Sequence, residues 1–61
     1  MNNLSRQALE QMEAGVKAGD TKAINMVKSM RANINAARKN HGMPPFVTDT
    51  NGDLIVEDAG N

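Results

Sequence analysis

Gly42, Pro44 and Pro45 fall together in the chain, and no regular helix passes through such a step. Proline has no backbone N–H, its ring clashes with the preceding turn, and the residue before it is pushed toward extended backbone. The segment before this point must therefore find its structure separately from the segment after it. The two also differ in charge. All seven Lys and Arg lie within residues 1–41 against three acids, a net +4. Residues 42–61 hold four acids and no base, a net −4. The formal neutrality of the whole chain thus conceals a basic body, 1–42, and an acidic extended segment, 43–61.

The first segment has helical spacing. Leu9, Met12 and Val16 recur at i, i+3 and i+7, with Arg6, Glu10, Glu13 and Lys17 assigned to the opposite side, which predicts an amphipathic helix over about 5–17. Ser5 suits its N-cap, and Leu4 can pack on Leu9 as a hydrophobic staple. Gly19 offers the left-handed residue that closes a helix, and Asp20 or Thr21 can cap the next one. Ala23, Val27, Met30, Ile34 and Ala37 then form a heptad-like stripe, widened by Met26, for a second helix over about 21–39 that stops at Gly42. So short a connection folds the two back as an antiparallel helical hairpin.

After the prolines, 46–50 and 53–57 flank Asn51-Gly52, a strong β-hairpin signal. A two-residue loop would pair Val47 with Val56, Thr48 with Ile55 and Asp49 with Leu54, and neither face would be cleanly apolar. A lone hairpin is marginal in water, so this one must dock, pair or remain an acidic tail. Its edges are also suited to accepting a partner's strand.

The chain has 61 residues, no Cys, no Trp, no Tyr and one Phe. A chain of this size removes only about 60% of its unfolded surface from water, and no disulfide or thiolate metal site can supplement the core. The expectation is a mainly α fold completed by dimerisation into a four-helix bundle, with Leu9, Met12, Val16, Val27, Met30 and Ile34 at the oligomer interface.

Several functions are disfavoured. No apolar run exceeds three residues, far short of the roughly 20 that cross a bilayer. Residues 1–9 lack the features of a secretory signal, so a cytoplasmic setting is expected. Asp49, Asn51 and Asp53 resemble the opening of a calcium loop, but its sixth and twelfth positions would be Leu54 and Gly60 rather than Gly and Glu. A plain turn is the better reading, and no metal or cofactor is expected. His41 has no catalytic neighbour at a recognised spacing and suits a helix end. Ser5 and Ser29 read as a cap and a solvent-facing helix residue. The glycines are dispersed, without a phosphate loop. An enzyme is not expected.

What remains is binding. Lys28, Arg31, Asn35, Arg38 and Lys39 gather on one side of the second predicted helix. As a nucleic-acid site, the cations would contact phosphates and Asn35 would read a base edge. Two features oppose that reading. The anchoring positions of a helix-turn-helix would be the polar Asn25 and Lys28, and no aromatic lies among the cations. The preferred expectation is a small accessory or inhibitory protein-interaction module acting stoichiometrically, with a dimeric nucleic-acid binder as the alternative.

Overall fold

The structure, a computed structural model, describes residues 4–57. Two helices, α1 (Arg6–Lys17) and α2 (Thr21–Asn40), precede two strands, β1 (Phe46–Thr48) and β2 (Leu54–Val56), which form one antiparallel pair. The expected helical hairpin and the short β-hairpin are both present.

Each helix boundary follows from local chemistry. Ser5 Oγ accepts from the Ala8 N–H at 3.1 Å, and Asp20 Oδ1 accepts from Lys22 N–H at 3.1 Å. Both helices end in the same paired-bond motif around a left-handed glycine. In α1, Gly19 (φ 81°) donates to Val16 O and Asp20 to Gly15 O. In α2, Gly42 (φ 70°) donates to Lys39 O and Met43 to Arg38 O. Asp20 therefore finishes one helix and begins the next, which leaves no slack between them. Close approach is also built in at Gly15, where a Cβ would stand 2.7 Å from Ala23 Cβ.

The α2 backbone departs from helical geometry at Met30 (φ −120°, ψ 26°). Immediately before it, the Ser29 hydroxyl donates to the Asn25 carbonyl at 2.8 Å, a back-bond that bends helices by competing for the carbonyl. Met26 and Met30, both expected in the apolar stripe, share a helix face four residues apart and are 47% and 45% exposed.

The β-hairpin register differs by one residue from the expected one. Phe46 faces Val56, Val47 faces Ile55 and Thr48 faces Leu54. Gly52 (φ 87°) donates to Asp49 O, and Asp49 donates to Asp53 O at 2.9 Å. Asn51 keeps a negative φ, since among the described residues no non-glycine has a positive one. The loop is therefore Thr50-Asn51-Gly52, a turn followed by a left-handed glycine, rather than the two-residue turn at Asn51-Gly52. Asp49 Oδ1 favours this form by accepting from both Asn51 N and Asp53 N at 2.9 Å. A one-residue shift exchanges the faces of a strand relative to its partner. Here it puts Phe46, Leu54 and Val56 on a common apolar face.

That face completes the core. Leu9 and Val16 of α1, Val27, Ile34 and Ala37 of α2, then Met43, Phe46 and Leu54 are buried together, with Leu4, Met12, Ala23, Ile24 and Val56 packed around them. Four of the six residues expected at an oligomer interface, Leu9, Val16, Val27 and Ile34, are thus covered within a single chain. The two helices cover one another, and Met43, Phe46 and Leu54 close the cluster.

Candidate functional site

The five residues of the expected basic face have separate environments. Lys28 and Lys39 are exposed. Arg31 reaches the hairpin and donates from Nη1 to Thr48 Oγ1. Asn35 Oδ1 accepts from Phe46 N–H at 2.8 Å, while Nδ2 donates to Phe46 O at 3.0 Å. The amide thereby satisfies both backbone groups of one residue, as a neighbouring strand would. Its hydrogen-bonding edge is directed into the fold and is unavailable to a base.

Arg38 is 0% exposed. Its Nε donates to Pro44 O, its Nη2 donates to Glu13 Oε1 at 3.1 Å, and its guanidinium lies 4.3 Å from the centre of the Phe46 ring. Among the described residues Nη1 has no partner. A guanidinium buried in this way cannot contact a phosphate at the surface, so Arg38 does not belong to an exposed cationic patch. It ties α1, α2 and the chain entering β1 to one another. Glu13, expected on the solvent side of α1, is the carboxylate that permits this. Its Oε2 lies 2.9 Å from Lys17 Nζ and its Oε1 meets Arg38. The Lys17 hydrogen bond, assisted by Arg38, holds the Glu13 carboxyl below its ordinary value against the opposing effect of burial.

Arg38 was partly legible in sequence, because a step of four from Ile34 reaches it. Nothing local to Asn35 announces the clamp, which depends on where a residue eleven positions away comes to rest. Gly15 carried a faint signal, as a helix-interior glycine often marks close packing.

His41 caps α2, with Nε2 3.1 Å from Leu4 O. The Asp49, Asn51 and Asp53 segment is a turn whose lead carboxylate is occupied by backbone N–H groups. Among the described residues there is no cluster of three or more His, Cys, Asp or Glu arranged to hold a metal, and no helix is long and apolar enough to cross a membrane.

Two kinds of surface remain open. Met26 (47% exposed), Met30 and Ile55 (43% exposed) present apolar side chains to solvent. The other is a groove lined by Val16, Lys17, Pro44 and residues 54–57. No protein-family profile, curated protein or solved structure matches the chain.

Proposed function

We propose that this chain is a small, non-enzymatic interaction module that acts by stoichiometric binding to another protein, in an accessory or inhibitory role and a cytoplasmic setting. The observation that supports this reading over nucleic-acid binding is the internal use of the polar residues on α2. Arg38 is buried, Asn35 holds Phe46 and Arg31 is bonded to Thr48. Of the five expected residues, Lys28 and Lys39 are the two cations left without a partner among the described residues, a weak electrostatic footprint for a phosphate backbone. A dimer of this chain would use Met12, Met26 and Met30, since Val27 and Ile34 are already covered. Affinity purification of the tagged full chain should recover one protein at near one-to-one stoichiometry, and gel-shift titrations with DNA or RNA should show no salt-steep retention. Tight, salt-dependent retention of nucleic acid with no protein partner would reject the proposal in favour of the alternative.

A further inference from the structure

The two edges of the β-hairpin are not equivalent. In an antiparallel pair, alternate residues direct their N–H and C=O groups toward the partner strand and away from it. Glu57 N donates to Pro45 O and Asp49 N to Asp53 O. With the observed register, this assigns inward bonds to 45:57, 47:55 and 49:53. The backbone groups of Phe46, Thr48, Leu54 and Val56 therefore point outward. On β1, Asn35 satisfies Phe46, and its bonding there independently confirms the assignment. On β2, the N–H and C=O groups of Leu54 and Val56 have no protein partner among the described residues.

The groove described above is lined by β2 and Glu57 together with Val16, Lys17 and Pro44. Acids flank the edge, with Asp53 before β2 and Glu57 after it, both exposed. Lys17, the base at the rim, is already held by Glu13 at 2.9 Å. The two-fold self-pairing that would bond Leu54 of each copy to Val56 of the other is unfavourable. In an antiparallel self-pairing centred on Ile55, Asp53 of each copy would face Glu57 of the other, and directly opposed like charges destabilise a ladder.

We infer that the β2 edge is the docking site for an extended segment of a partner protein, added as a third strand, in which Lys or Arg flanks an alternating apolar core. The inference rests on the protein-binding reading and specifies its site: main-chain bonds to Leu54 and Val56 supply affinity, while Asp53 and Glu57 select for cationic flanks.

The test uses two synthetic peptides with the same Thr-Val-Thr-Val-Thr centre, one flanked by Lys and one by Glu, titrated into the full chain. Amide exchange and chemical shifts provide the readout. The Lys-flanked peptide should slow exchange at the Leu54 and Val56 amides and bind at least about tenfold more tightly than the Glu-flanked one. The double variant Asp53→Lys, Glu57→Lys should reverse that preference. Val56→Pro removes an outward N–H and leaves the inward ladder bonds in place, so it should abolish binding of both. Should Val56→Pro fail to fold, the charge reversal still decides the matter, because it alters exposed side chains alone.

No protection of Leu54 and Val56 at millimolar peptide would overturn the inference. So would protection that grows with protein concentration in the absence of peptide, or shifts confined to α2. A partner protein retained equally by the parent chain and the charge-reversed variant would refute this site while leaving the general binding function standing.

Discussion

Removing the Asn35 amide separates two accounts of the residue most sharply. If Asn35 were a base-reading side chain on an exposed face, Asn35→Ala would leave stability almost unchanged. In the structure its Oδ1 and Nδ2 bond the N–H and C=O of Phe46, a residue that is 1% exposed. Truncation strands a buried donor and a buried acceptor, each costing about 1–3 kcal/mol when left unpaired, so about 2–4 kcal/mol in total after partial relaxation. The whole stability of a domain this size is about 3–9 kcal/mol. Asn35→Ala should therefore remove near half of it. With a urea dependence of about 1 kcal/mol per M, the unfolding midpoint should fall by about 2 M or more, with loss of near-native amide protection around Phe46. A fall below about 0.5 M would refute the clamp. Asn35→Asp provides a second check through pH. The carboxylate keeps an acceptor for Phe46 N–H but turns a negative oxygen toward Phe46 C=O, which raises the folded-state pKa of the new group. Its compatible, protonated form contributes fully below the unfolded pKa near 4, and that contribution disappears as pH rises through the folded value. Relative to the parent at each pH, Asn35→Asp should be closest to normal in acid.

The remaining predictions follow from the same contacts. Because Glu13 is held below its ordinary value of 4.5, its contribution is present above that pH and is lost as acidification proceeds through the lowered folded value, leaving the Arg38 guanidinium without its carboxylate. The parent should lose melting temperature as pH falls below about 4.5, whereas Glu13→Gln should start lower and show a flatter acid limb. Gly15→Ala sets a methyl 2.7 Å from Ala23 Cβ; overpacking of about 1–3 kcal/mol exceeds the roughly 1 kcal/mol gained in helix propensity. Urea titration should show net destabilisation, and adding Ala23→Gly should recover a substantial part of it; a fully stable Gly15→Ala would remove the close-approach argument. Ser29→Ala deletes the back-bond to Asn25 O and should raise helix content and stability by about 0.5 kcal/mol, measured by circular dichroism and urea unfolding. Sedimentation across a dilution series should show a helical, folded monomer at micromolar concentration, and loss of helix on dilution would restore the dimer as the folding unit.

What the chain encodes locally was legible from its residues. Ser5, Gly19, Asp20 and Gly42 act within a few positions of themselves, through a cap or a left-handed turn, so their roles follow from residue type and spacing. The apolar stripes of both helices were legible for the same reason, apart from Met26 and Met30, which the fold leaves exposed. The β-hairpin shows the boundary of this reasoning. Asn51-Gly52 announces a turn, but the choice between a two-residue and a three-residue loop rested on Asp49 bonding two amides and on which register offers an apolar face to the helices.

The same boundary runs through the candidate site. Lys28, Arg31, Asn35, Arg38 and Lys39 form one group by helical position, yet Glu13 and the arrival of Phe46 divide them into a buried tie, a backbone clamp, a link to Thr48 and two free cations. Charge and periodicity determine which residues share a helix face. They do not determine what lies against that face, because the covering element is distant in sequence. For this protein the sequence by itself determined two helices, their ends, a break at the prolines and an extended acidic segment. Tertiary structure decided that this segment folds back on the helices and closes their core, and that one edge of its β-hairpin is left open.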